Sequence, residues 1–238
     1  MMQREEAKIF LADERGVSEA DWFRSCSTFN FGKYYSEHKH PFANIDIIND
    51  DSLDTGCSLQ MLVEKDYYIV LVPVIGAIKY KSSTGECNLV AAGQSQFLAA
   101  KKGDKIQISN PFDEGLINFL QIWIRPNSEE IIRNSVLCDF DVNRCKNSFQ
   151  IISPAGSAEN TVPFIASIAK FDGRGEAIYQ VKNEKTGLFV FVIEGAFEVQ
   201  GRLLHARDGL ALWNTSDVEI EALSNDAIIL VIETSEKE

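Results

Sequence analysis

The chain has 238 residues, 45% hydrophobic and 24% charged, enough to bury one large β core or two smaller ones. Its net charge of −12 at pH 7 repels phosphate backbones and argues against direct nucleic-acid binding, though not against binding a protein that itself binds DNA. The start, MMQREEAKIF, has no apolar secretory core, and the longest apolar run, 67–78, is too short for a membrane span and contains Pro73, so a soluble cytoplasmic protein with no membrane contact is expected.

From the amino end, β-forming runs follow one another between turn signals. They are KIFLA (8–12), NIDIIND (44–50), SLQMLV (58–63), YYIVLVPVI (67–75), AIKYKS (77–82), NLVAA (88–92), QFLAA (96–100), DKIQIS (104–109) and INFLQIWIR (117–125). STGE at 83–86, KKGD at 101–104 and NPFDEG at 110–115 punctuate them. Residues 128–140 suit either an extended linker or a helical turn or two capped by Ser128, with Glu129 and Glu130 near the positive end of its dipole. Strands resume with SFQIIS (148–153), TVPFIASIAKF (161–171), EAIYQV (176–181), GLFVFVIEGAFEVQG (187–201), RLLHA (202–206), GLALWN (209–214), VEIEAL (218–223) and AIILVIET (227–234). Long helices are missing, and strands at this spacing predict sandwiches or barrels. The five cysteines are odd in number and lack CxxC spacing, so reduced thiols are expected rather than a disulfide framework or zinc knuckle.

The pattern repeats. Residues 70–98 and 190–213 both run as an apolar strand, a Gly-Ala pair (Gly76-Ala77, Gly195-Ala196), a second strand, a tight turn, a short strand, a turn with Gly93 or Gly209, and another apolar strand. A repeat of this length is a duplicated domain rather than a solenoid unit. The predicted organisation is all-β: one domain over 1–126, a linker over 127–147 and a second domain over 148–238.

This hairpin with its glycine resembles the cupin jelly roll, and two in tandem resemble a bicupin. The first half is similar to the pirin family in Ser27-Thr28-Phe29-Asn30-Phe31-Gly32-Lys33-Tyr34-Tyr35, in Ile48-Asn49-Asp50-Asp51, and in Phe119-Leu120-Gln121-Ile122-Trp123-Ile124 followed by Pro126. The second half, from Phe149-Gln150-Ile151-Ile152-Ser153-Pro154 onward, resembles the C-terminal domain of bacterial pirin-like bicupins, including Val192-Ile193-Glu194-Gly195 and Arg207-Asp208-Gly209. The resemblance implies a metal site in the first barrel, with His-x-His on one strand and a His and a Glu two apart on a later one, since alternate strand residues share a face. It also implies flavonol oxidation in some members and transcriptional co-regulation in others.

Anchored on Gly76, the first ligand pair falls at Leu62 and Glu64; anchored on Gly93 and Asn110-Pro111, the second falls at Ile106 and Ile108. A shifted register would place the later ligand at Asp104, still without a histidine. Three of four positions are aliphatic, and no histidine occurs anywhere from 41 to 204. No cofactor is therefore expected. Glu64 admits two placements. Pointing inward beside Leu62, Ile106 and Ile108 it is a carboxylate in an apolar barrel; at the barrel mouth it is solvated or paired with a lysine.

Other constellations are weak. His38 and His40 form a local His-Lys-His before Pro41, either a metal pair or an exposed loop, and His205 stands at a turn. Phosphate loops, G-x-S-x-G and supported Cys–His pairs are absent. Asp50-Asp51 and Asp113-Glu114 read as turn and solubility residues. The leading expectation is a metal-free pirin-like bicupin serving as a non-enzymatic binding or regulatory protein, its partner a small molecule or a regulatory protein. A flavonol dioxygenase and a scaffold with filled barrels are the alternatives.

Overall fold

The run YYIVLVPVI at 67–75 shows no alternation of apolar and polar residues. A strand covered on one face alternates, and a strand covered on both faces does not. The computed structural model of the chain describes residues 6–127, 135–144, 146–154, 162, 164–182 and 186–235, and it places this run at the centre of a sheet buried on both sides.

The first half contributes β1 (Glu6–Phe10), β2 (Gly16–Ala20), β3 (Phe23–Ser27), β4 (Ile45–Leu53), β5 (Ser58–Leu62), β6 (Tyr67–Ile75), β7 (Ala77–Ser82), β8 (Cys87–Ala91), β9 (Gln94–Ala100), β10 (Lys105–Ser109), β11 (Ile117–Ile124) and β12 (Ser135–Asp139). The second contributes β13 (Gln150–Ile151), β14 (Phe164–Phe171), β15 (Glu176–Gln180), β16 (Thr186–Glu194), β17 (Ala196–Val199), β18 (Arg202–His205), β19 (Gly209–Trp213), β20 (Asp217–Ala222) and β21 (Ala227–Ser235). Among the described residues the only helical element is a 3₁₀ turn at Ala12–Glu14, and no helix is long and apolar enough to cross a membrane.

Four sheets form four layers. The outer sheet β5-β10-β7-β8 covers the seven-stranded sheet β12-β9-β6-β11-β4-β3-β2, which backs onto the six-stranded sheet β1-β19-β16-β21-β14-β13, covered in turn by β15-β20-β17-β18. Side-chain parity builds three cores from this stack. On β6, Tyr67, Ile69 and Leu71 enter the first barrel, while Tyr68, Val70 and Val72 enter the layer between the two large sheets. On β16, Leu188, Val190 and Val192 fill the second barrel, while Phe189, Phe191 and Ile193 enter the same middle layer. At its centre the Phe189 ring lies 5.8 Å from Phe10, 5.4 Å from Phe29 and 5.8 Å from Phe42. Two glycines admit these rings: a Cβ on Gly209 would lie 2.7 Å from Phe189 Cζ, and one on Gly187 would lie 2.6 Å from Phe42 Cζ.

The duplicated hairpin is real in three dimensions. β6 to β9 and β16 to β19 trace the same path, each with a register shift just before its Gly-Ala pair. Gly76 and Gly195 follow those shifts at φ +78° and +80°, a conformation that costs a side-chain-bearing residue.

The sheets do not divide at 126 and 147 as the sequence suggests. β1, from the first half, pairs along its length with β19 of the second. β12, from the expected linker, extends the first half's large sheet against β9. The helical alternative for 128–140 therefore gives way to a strand over Ser135–Asp139, where cross-strand pairing overrides weak local preference; 128–134 lie outside the described residues. β2 and β3 were not expected: GVSEA and FRSCS carry few β-formers, and the pairing of β3 with β4 and of β2 with β3 holds them in the sheet.

Truncating Phe189 should open a cavity shared by both halves. Phe189→Ala is expected to cost about 3–5 kcal/mol in urea unfolding, with a single coincident transition for the two barrels.

Candidate functional site

The first barrel has a polar floor that its apolar walls do not predict. On β4, alternation sends Asn49 and Asp51 toward the barrel interior and Asp50 toward the opposite face. From β11, Gln121 points the same way as Asp51 and its amide donates to Asp51 Oδ2. The Trp123 indole N–H donates to Gln121 Oε1 at 3.2 Å, which orients that amide with its NH₂ toward the carboxylate. Ser25 and Ser27 on β3 stand opposite Asp51 and Asn49 in the ladder. All five residues of this floor, Ser25, Ser27, Asn49, Asp51 and Gln121, are buried.

They line a cavity of about 450 Å³ with Leu59, Met61 and Phe23, a size that suits a small organic molecule. A tight turn at 31–34 also lines it. Phe31 and Tyr34 bridge across Gly32, which sits at φ +59°. Tyr34 is held from both ends: its hydroxyl donates to Glu14 O at 2.9 Å, and its ring lies so close to Gly16 that a Cβ there would sit 2.2 Å from Tyr34 Cγ.

Three buried atoms of the floor lack partners: Ser25 Oγ, Asn49 Oδ1 and Asp51 Oδ1. Orphaned buried polar atoms are rare, and each such atom calls for an explanation such as a missing water, ion or ligand. Burial raises the Asp51 carboxyl from its ordinary 3.8 to about 7, aided by the charge of Asp50 and opposed by Ser25 and Gln121. Ser25 is near enough to favour the ionised form, yet its hydroxyl makes no well-aligned hydrogen bond.

On the other face of β4, Asp50 is bound by Arg15 at 3.1 Å, by Asn118 Nδ2 at 2.7 Å and, more loosely, by Arg207 at 3.6 Å. Arg207 also reaches Glu194 at 3.4 Å, so the cluster joins the two halves. Asp50 and Asp51 are thus strand residues on opposite faces, Asp51 buried and Asp50 partly so, and not the turn and solubility pair expected from sequence. Asp113 and Glu114 are exposed in their turn, as expected.

The four positions singled out from sequence are not brought together. Ile106 and Ile108 face the barrel interior and are fully buried. Leu62 and Glu64 point outward, Leu62 being 59% exposed. The ladder explains this: Met61 lies opposite Ile106 and Leu59 opposite Ile108, and Val63 continues the pairing by bonding to Asp104 O. With 59, 61 and 63 inward, 62 and 64 must face out. Glu64 therefore takes the mouth placement, lining a rim groove with Tyr67, Trp123 and Asp46. There the Tyr67 hydroxyl donates to Asp46 at 2.9 Å, and Arg125 bonds the same carboxylate at 2.8 Å.

The inward residues facing each other across the β5–β10 ladder are Leu59, Met61, Ile106 and Ile108, which supply no nitrogen or oxygen donor and do not fit a first-row metal. Among the described residues no group of three His, Cys, Asp or Glu side chains could hold an ion. His38 and His40 are both exposed, with Lys39 turned inward between them to pair with Glu14 at 3.1 Å. His205 is exposed at its turn. Cys26, Cys57, Cys87 and Cys138 are free thiols, and Cys145 lies outside the described residues.

Asp51 makes stability depend on pH. Its folded value lies above its unfolded one, so between about pH 4 and 7 the folded state holds a proton that the unfolded state has lost, and stability falls as pH rises through that window. Asp51→Asn removes the effect. Relative to wild type, that variant should gain about 3 kcal/mol in urea unfolding between pH 4.5 and 7.5.

Comparison with known proteins places this geometry in context. The Pirin family model matches residues 11–124, and a model described as the quercetinase C-terminal cupin domain matches 164–234. A quercetin 2,3-dioxygenase of Escherichia coli (strain K12) is 25% identical over 223 residues, covering 92% of this chain and 95% of that one. A pirin-like protein of Caulobacter vibrioides is 24% identical, covering 92% and 96%. The crystal structure of YhhW from Escherichia coli superposes with a TM-score of 0.85 at 23% identity, over 97% of this chain and 98% of that one. The structure of the same bacterial pirin with nickel(II) superposes at 0.84. The chain is a bicupin of the pirin family.

Proposed function

We propose that this chain is a metal-independent member of its family that binds a small molecule in the first barrel and acts as a binding or regulatory protein rather than an enzyme. The observation that carries this is the pairing of apolar side chains at the inward ladder positions with a buried polar floor left short of partners. An oxidative enzyme of this fold needs a metal with open positions for substrate and dioxygen. Leu59, Met61, Ile106 and Ile108 offer one thioether and no nitrogen or oxygen ligand, whereas a cavity of about 450 Å³ with a few convergent polar groups is the ordinary form of a ligand site. The second barrel supports no comparable role, because Phe171, Leu188, Phe197, Leu210 and their neighbours pack its interior.

Elemental analysis and native mass spectrometry of one preparation test the proposal together. The expected result is substoichiometric Fe, Ni, Mn and Zn, a co-purifying small molecule released on denaturation, and no chelator-sensitive dioxygen uptake with quercetin. A stoichiometric metal with chelator-sensitive uptake would overturn the proposal and favour the activity for which several relatives are named.

A further inference from the structure

Resting on the ligand-binding reading above, we infer that the first barrel recognises a primary ammonium group attached to an apolar body, with Asp51 as its counter-ion. The unpartnered atoms of the floor decide the chemistry. Asn49 Oδ1 and Asp51 Oδ1 are acceptors, and Ser25 Oγ can accept while its proton turns elsewhere. One donor of the floor, the Gln121 amide, is committed to Asp51 Oδ2. Ser25, Ser27 and Asn49 carry donors of their own, but Asn49 Oδ1 and Asp51 Oδ1 receive none, so a ligand completes these two atoms by donating to them.

The strand ladder sets these atoms side by side. Ser25 is the cross-strand partner of Asp51, and Asn49 lies two residues along β4 on the same face. Directly opposite residues have Cβ atoms about 5 Å apart, and same-face residues two apart or diagonal lie about 7 Å apart, so side chains leaning inward can reach one atom between them. An ammonium nitrogen carries three donors and no acceptor, which matches three acceptor atoms. It also neutralises a carboxylate that would otherwise be buried without a counter-charge. A neutral alcohol presents one donor and leaves that charge uncompensated. A hard metal ion fits poorly, since it needs six or more oxygens and the floor supplies three beside Leu59, Met61 and Phe23. Those apolar walls accept the body of the ligand, and the turn at 31–34 lines the same cavity.

Without a ligand, the raised value of Asp51 is the expected response of a buried carboxyl: it takes a proton on the free oxygen. The charged groups near it are Asp50, held on the opposite face by Arg15, and Lys33, exposed on the turn at 31–34. Binding of an ammonium should therefore release a proton and strengthen as Asp51 ionises.

Titration calorimetry with benzylammonium, and with benzyl alcohol as its neutral counterpart, tests the inference on the full-length protein. Benzylammonium should bind at least tenfold tighter than the alcohol at pH 8, and its affinity should rise about tenfold from pH 6 to pH 8, as expected for a site with a value near 7. Asp51→Asn should abolish the preference and the pH dependence. Ser25→Ala, which removes one acceptor and keeps the carboxylate, should weaken benzylammonium severalfold and leave the alcohol unchanged. Equal affinities for the two probes, no binding of either, unaltered selectivity in both variants, or competition by calcium in place of the amine would each overturn the ammonium assignment. The ligand-binding reading stands or falls separately: an uncharged molecule co-purifying in the barrel would sink the ammonium inference and leave that reading intact, and a stoichiometric metal would sink the reading whatever the probes do.

Discussion

The side chains of Phe10, Phe29, Phe42 and Phe189 meet in the layer between the two large sheets, and the rest of the molecule is arranged around that contact. A sheet apolar on one face makes a barrel; a sheet apolar on both faces makes a barrel and an obligation to cover its back. β6 and β16 are both of the second kind, and each covers the other's sheet. Large aromatic side chains bury much apolar surface and favour the tilted and edge-on geometries seen here. Neither half would present a tolerable surface to water without its partner.

Much of this was legible in the residues. Unbroken apolar runs at 67–75 and 187–193 marked strands buried on both faces, and the Gly-Ala pairs marked the duplicated hairpin. What the residues hid was non-local. GVSEA has no strand signal of its own and becomes β2 because β3 offers it an edge. The partner of β1 lies at the far end of the chain, beyond any local window. The candidate site was half legible. Ile106 and Ile108 face the barrel interior, and the Asn110-Pro111 anchor that located them adjoins their strand. Leu62 and Glu64 were placed by counting back from Gly76 across the turn that joins β5 to β6, where parity is not preserved by counting alone. The Asn-Asp-Asp run inside β4 was the overlooked signal. Consecutive polar residues in the middle of a strand that pairs on both sides have nowhere to go but inward.

β4 shows how one strand can serve two compartments. Asp50 is neutralised by arginines from both halves, whereas Asp51, one residue on, meets an amide, the Ser25 hydroxyl and apolar walls. Two carboxylates adjacent in sequence thus experience opposite environments, and burial raises the second to about 7. Such a divergence between neighbouring acids marks functional sites more often than structural ones.

The pairing of β1 with β19 has a consequence for how the chain is made. Glu6 and Trp213 are neighbours in the sheet but about 200 residues apart along the polypeptide, so β1 leaves the ribosome long before its partner. During synthesis the first barrel can condense around β6 and β11, while Phe10 waits for Phe189 and its strand waits for the edge of β19. In that interval an apolar strand with unpaired backbone groups stands open to other chains. Its charged residues, Glu6 and Lys8, are what the nascent protein has to keep that edge from pairing with a stranger.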